Sequence, residues 1–214
     1  IYILENQDSF EPKHIFDCGQ CFRWNEEKDK SYTGIFKSNV LNVKKENNKI
    51  IFKGLVTGSI KKVVEEYFDL KRDYSIIKQE LSKIDEYVKL SIKYGDGIRI
   101  LNQELVETIL SFIISANNNI PRIKGIIENL SKKYGNEIRW NNNTYYTFPT
   151  LEQLKEVTTE DYRNLGTGFR DKRLYDTVQM LLEKKEDLNN WYNKNTNEVK
   201  EELLKFSGVG PKVA

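Results

Sequence analysis

A chain of 214 residues that is 38% hydrophobic and 31% charged can bury one substantial core or two modest ones, which excludes a disordered polypeptide. With 34 Lys and Arg against 32 Asp and Glu the net charge is only +2, so a nucleic-acid site has to come from local clustering of basic residues. No apolar run approaches the ~18 residues of a membrane span, and Ile1-Tyr2-Ile3-Leu4 passes at once into Glu5-Asn6-Gln7-Asp8; neither a span nor a signal peptide is expected, and the location read is intracellular.

The first fifty or so residues read as short strands: Phe22-Arg23-Trp24, Tyr32-Thr33-Gly34-Ile35-Phe36, Val40-Leu41-Asn42-Val43 and Ile50-Ile51-Phe52. Glu46-Asn47-Asn48 suits the turn between the last two, because asparagine tolerates left-handed backbone. From Ser59 the period becomes helical, with Ile60, Val63, Val64, Tyr67 and Phe68 on one face behind a serine cap. Further helices are expected near 75–83, 87–94, 104–115, 121–134, 151–156, 160–165, 170–183 and 197–205. Pro121 at a first helical position, Gly135 after Tyr134 and a capping box from Thr150 to Gln153 mark their ends. Asn141-Asn142-Asn143 reads as an exposed polar turn. The fold class is therefore α+β: an N-terminal antiparallel sheet domain with flanking helices over 1–90, then an all-α domain over 91–214.

Cys18 and Cys21 form a lone Cys-x-x-Cys, and His14 is the only histidine. Three soft ligands do not close a four-coordinate zinc site, so no metal site is assigned and buried structural thiols are the expectation.

Chemistry concentrates at the end of the chain. An amphipathic stretch with Val199, Leu203, Leu204 and Phe206 runs into Gly208-Val209-Gly210, and Pro211 opens a second helix, the pattern of a helix-hairpin-helix. Glycines there let the backbone turn sharply and bring main-chain N–H groups close to a phosphate. Lys212 falls in the first turn of the second helix, whose positive end disfavours an ammonium and so makes the free amine more available as a nucleophile. An ordinary helical hairpin gives the same Gly-x-Gly, which alone is a weak signal.

Five ordered segments carry a stronger one: Gly19-Gln20-Cys21-Phe22-Arg23-Trp24; Ser115-Ala116-Asn117-Asn118-Asn119-Ile120; Arg122; Leu165-Gly166-Thr167-Gly168-Phe169-Arg170; and Gly208 to Ala214. Together they resemble the 8-oxoguanine DNA glycosylase family of the helix-hairpin-helix glycosylase superfamily, over nearly the whole chain. The resemblance implies a bifunctional DNA N-glycosylase and abasic-site lyase that flips the damaged base out of duplex DNA, with Lys212 attacking the sugar C1′ to leave a Schiff base. Asn117 would enter the vacated space, while Arg122 and Arg170 would donate to the orphaned cytosine. Phe169 takes the wedge position, usually a tyrosine in the family. From spacing alone Phe169 also reads as a core residue of the following helix, and Asn119 as a helix cap.

Family resemblance further gives the backbone oxygen of Gly19 the reading of the lesion. Oxidised guanine carries a hydrogen on N7 where guanine has a bare acceptor, so a carbonyl there accepts from the lesion and repels the normal base. Read as an ordinary residue, Gly19 is a turn glycine between strands. An aspartate expected to stabilise positive charge on the sugar lies past Ala214, so the chain reads as C-terminally incomplete. No cofactor is required; a structural cation at the hairpin, held by carbonyl oxygens of Leu204, Phe206 and Val209, is a further expectation. The expected partner is double-stranded DNA with 8-oxoguanine opposite cytosine, bound by a monomer with no role for a membrane. Two rivals stay open: a helix-hairpin-helix glycosylase for another lesion, and a non-catalytic DNA-binding module in which Lys212 only contacts phosphate.

Overall fold

The structure, a computed structural model, describes residues 1–5, 9–184 and 188–214. Its residues group into two compact units, one of 1–103 with 138–145 and the other of 104–137 with 146–214. The sequence expectation divided the chain at 90. Segment 99–103 groups with the first unit because its groups are bonded there: buried Arg99 donates from Nε to the Phe68 oxygen at 2.9 Å, and the Asn102 N–H reaches the Tyr67 oxygen at 2.8 Å.

Within the first unit the described residues form an antiparallel sheet of β1 (Tyr2–Leu4), β2 (Trp24–Glu26), β3 (Tyr32–Phe36), β4 (Asn39–Glu46) and β5 (Lys49–Leu55), in the order β1-β5-β4-β3-β2. The β4–β5 turn pairs Glu46 with Lys49 and puts Asn47 at φ +56°, as its amide chemistry suggests. β1 and the short helix α1 (Pro12–Phe16) were not anticipated: three residues and five carry too little periodicity to show locally. Phe16, Trp24, Tyr32, Phe52, Tyr67 and Phe68 build a buried aromatic core, with Trp24 stacked on Phe16 at 4.0 Å and its Nε1 donating to the Tyr67 hydroxyl at 3.0 Å. Helix α2 (Ile60–Tyr67) closes this core with Val64 and Tyr67; Ser59 sits at its cap position but makes no side-chain cap bond. Helices α3 (Tyr74–Leu81) and α4 (Glu86–Tyr94) follow, each capped by an aspartate, Asp73 or Asp85.

The second unit is helical: α5 (Leu105–Ser115), α6 (Ile120–Tyr134), α7 (Leu151–Leu154), α8 (Thr159–Asn164), a 3₁₀ turn Gly168–Arg170, α9 (Asp171–Glu183), a 3₁₀ segment Leu188–Asn193 and α10 (Thr196–Leu203). Leu110, Ile113 and Ile114 of α5, Ile123, Ile127 and Leu130 of α6, and Leu174, Val178 and Leu181 of α9 are buried, each set at helical spacing. A two-stranded hairpin, β6 (Glu137–Trp140) and β7 (Asn143–Tyr146), interrupts the stretch expected to be all-α, and its residues 138–145 group with the first unit; Asn141 and Asn142 both have positive φ, the backbone of a tight two-residue connection. No helix among the described residues is long and apolar enough to cross a membrane. The α+β class stands, with the sheet N-terminal and the helices after it.

Candidate functional site

Gly19 lies in the bend between α1 and β2 of the first unit, at φ +84°. A Cβ built there meets nothing within 4 Å, so left-handed backbone and not crowding calls for glycine, and the space beside it is open. Its neighbour Gln20 fixes the bend. The Gln20 Nε2 donates to the oxygens of Ile15 at 2.9 Å and Arg99 at 2.8 Å, its Oε1 accepts from the Leu101 N–H at 3.0 Å, and its own backbone oxygen accepts from Gln103 Nε2 at 2.7 Å. That network makes Gln20 a residue the sequence quoted without a role. Of the two thiols only Cys21 is buried; Cys18 is exposed at the end of α1, its thiol donating to the Ile15 oxygen at 3.4 Å. His14 donates from Nδ1 to the Asp96 oxygen at 3.0 Å, and no group of three His, Cys, Asp or Glu suited to a metal occurs among the described residues.

In the second unit, Asn117, Arg122, Phe169 and Arg170 come together. α5 ends at Ser115, and Asn117 turns the chain with φ +50° and an exposed side chain. Asn119 then caps α6 by accepting from the Arg122 N–H at 3.0 Å, so the capping reading of Asn119 holds and leaves Asn117 free of that task. Arg122 is exposed and donates from Nη2 to the Gly166 oxygen at 3.1 Å. Phe169 is 57% exposed, which rules out the core reading; its ring carries the guanidinium of Arg170 at 4.2 Å and that of Arg173 at 5.4 Å.

Arg170 behaves differently from the expectation of a base-facing donor. It is 2% exposed, and its guanidinium donates from Nε to the Ala116 oxygen at 2.8 Å, from Nη2 to the Asn117 oxygen at 2.8 Å and from Nη1 to the Thr167 oxygen at 3.1 Å, with a further bond from Nη2 to Ala116. Burial first, then the like charges of Arg122 and Arg173, lower its proton affinity below the ordinary guanidinium value, although such a group stays charged at neutral pH. Sequence alone gives no sign of this burial, because arginine is normally a surface residue.

The hairpin follows α10, which Asn195 and Glu198 cap reciprocally. Phe206 and Val209 are buried anchors, and the Val209 N–H closes the turn on the Phe206 oxygen at 3.1 Å. Gly208 needs its φ of +90°, whereas Gly210 does not have a positive φ. The second helix expected from Pro211 is seen as one turn, in which the Gly210 oxygen accepts from the N–H groups of Val213 at 2.9 Å and Ala214 at 3.0 Å. Lys212 is exposed on that turn.

Comparison with known proteins decides what this arrangement is related to. A family model described as the N-terminal domain of 8-oxoguanine DNA glycosylase matches residues 2–109. The chain belongs to the 8-oxoguanine DNA glycosylase family. The N-glycosylase/DNA lyase of Saccharomyces cerevisiae is 31% identical over 228 residues, covering 94% of this chain and 60% of its own length. Its counterpart in Arabidopsis thaliana is 26% identical and covers 93% of this chain and 57% of its own. The chain thus spans somewhat under two thirds of these family members. The apo crystal structure of the Clostridium acetobutylicum 8-oxoguanine glycosylase/lyase superposes with a TM-score of 0.94 at 46% identity, covering 99% of this chain and 74% of that one. The same family enzyme in complex with double-stranded DNA containing cytosine opposite 8-oxoguanine gives 0.93 at 45% identity, covering 99% and 72%.

Proposed function

We propose that this protein excises 8-oxoguanine from duplex DNA and cleaves the resulting abasic strand. What carries the reading is the likeness, at 45% identity over 99% of the chain, to a glycosylase/lyase bound to duplex DNA with cytosine opposite 8-oxoguanine. In this reading the open space beside the Gly19 backbone receives the lesion. Asn117 and Phe169, exposed on two turns that Arg170 bonds together, fill and wedge the duplex, and Arg122 presents donors to the orphaned base. Arg170 holds the Asn117 turn in place; it reaches a base only by leaving the three backbone oxygens it now serves.

The chemistry assigned to Lys212 is nucleophilic. Its amine forms a bond to C1′ as the bond from C1′ to the base nitrogen breaks, the base leaves with its electron pair, and loss of the amine proton with sugar ring opening gives the Schiff base. Removal of a C2′ proton then expels the 3′ phosphate by β-elimination. Backbone oxygens of Leu204, Phe206 and Val209 would supply hard-oxygen donors to a structural cation at the hairpin, Phe206 having a second lone pair beyond its bond from Val209. Such an ion would neutralise phosphate charge and take no part in the lysine step.

Borohydride trapping tests the assignment. A covalent adduct with duplex carrying 8-oxoguanine opposite cytosine is expected for the protein and not for Lys212→Gln. Binding without any adduct would favour the non-catalytic module, and an adduct confined to oxidised pyrimidines would favour the other-lesion enzyme.

A further inference from the structure

We propose that Arg173 is a phosphodiester contact that ties the exposed Phe169 wedge to the hairpin turn at Gly208. The proposal rests on the reading of this protein as a duplex-binding glycosylase, and it concerns a residue for which neither the motifs nor the family reading supplies a role.

Arg173 stands in the first turn of α9, four residues after Phe169, so the two side chains share one helical face. Its guanidinium carbon lies 5.4 Å from the Phe169 ring centroid. The other side of the same side chain packs on the hairpin. A Cβ on Gly208 would come within 2.8 Å of Arg173 Cδ, 3.4 Å of Nη1 and 3.5 Å of Nε, so the arginine fills the side that glycine leaves empty. Gly208 is required by its φ of +90°, and any side chain there would also displace Arg173 from the turn.

Charge pairing separates Arg173 from the other cations around it. Arg163 is paired with Asp171, Lys172 with Asp176, and Lys184 and Lys205 both with Glu202. Among the described residues no carboxylate pairs with Arg122, Arg170 or Arg173. Arg170 spends its donors on backbone oxygens and Arg122 bonds Gly166, whereas Arg173 makes no hydrogen bond among the described residues and is half-buried beside a turn of glycine backbone. Arg170 and Arg173 both lie over the exposed Phe169 ring, and Arg122 stands close enough to Arg170 to disfavour its charge; these like charges repel one another, and an anion relieves that repulsion. The anion that a duplex brings to a glycine hairpin is a backbone phosphate, and a guanidinium fork matches two of its oxygens. One residue then senses both the strand held at the hairpin and the ring entering the stack.

The test is the salt dependence of binding to a short undamaged duplex. Arg173→Met keeps the apolar stem against Phe169 and Gly208 and deletes the charge; the slope of log Kd against log salt should fall by about 0.9, one phosphate contact. Arg173→Lys should restore the slope, and Lys132→Gln, an exposed charge at the far end of α6, should leave it unchanged. An unchanged slope in Arg173→Met overturns the proposal, whether or not thermal stability falls, and so does an equal loss in Lys132→Gln. Lack of borohydride trapping would instead refute the catalytic reading while leaving this slope on undamaged DNA intact. Failure of the protein to bind any duplex would overturn both.

Discussion

Arg170 donates from Nη2 to the backbone oxygen of Asn117 at 2.8 Å, so a buried guanidinium holds the turn that exposes the asparagine. The same side chain bonds Ala116 and Thr167, which joins the end of α5 to the loop before α9 at one point. Asn117 at φ +50° occupies a region that asparagine visits more readily than most residues, and the charge-assisted bonds offset what strain remains.

Replacing Arg170 with alanine leaves these backbone oxygens without their donors and is expected to destabilise the protein by about 3 kcal/mol. Lysine should not rescue it, because a single ammonium on a flexible stem cannot serve three oxygens in one plane. Urea unfolding of both variants measures this; a loss below about 0.5 kcal/mol, the scale of an ordinary surface substitution, would remove the clamp from the account.

Phe169→Ala should behave in the opposite way. With the ring 57% exposed, stability should stay within about 1 kcal/mol of the parent, while the capacity to distort DNA falls. A base analogue such as 2-aminopurine beside the lesion should lose most of its fluorescence rise on binding, and excision from duplex should drop by at least about tenfold, equivalent to ~1.4 kcal/mol. Full excision by a normally folded Phe169→Ala protein would show that the ring is no wedge.

Acid should loosen the segment leading to the hairpin. Glu202 on α10 accepts from Lys184 at 2.8 Å and Lys205 at 2.7 Å, and these bonds, Lys184 first, hold its carboxyl down at about 2 against an ordinary 4.5. A depressed folded-state value means that the stabilisation is complete above about 4.5 and is lost as pH falls towards 2. Glu202→Gln should therefore lower Tm at pH 7 and make little difference near pH 2; a Tm deficit that persists unchanged at the acid end contradicts this.

Much of the fold is legible in the sequence, because the long helices carry their own periodicity. Ile109, Leu110 and Ile113, or Leu174, Val178 and Leu181, recur at helical spacing, and the caps at Asn119 and Thr150 are chosen by local backbone needs. Short elements are not legible: β1 exists because Tyr2 pairs with Phe52, a partner fifty positions away, while β6 alternates over too few residues to mark a strand and β7 does not alternate at all.

The ordered motifs likewise marked the family and named Gly19, Asn117, Arg122, Phe169, Arg170 and Lys212, because chemistry dictates residue type and sequence records type directly. Their surroundings are another matter. That Phe169 is exposed and Arg170 buried inverts the preference of each side chain, and the carbonyls of Ala116, Asn117 and Thr167, gathered from two segments, account for the buried arginine. Arg173 could have been singled out by its i+4 spacing from Phe169, but its position on Gly208 depends on a turn thirty-five residues further on. Sequence thus determined which side chains are present and which helices they ride on, since both are local properties. Burial and hydrogen bonding were decided only when distant backbone was brought alongside, because a donor or a charge takes its state from what surrounds it in space.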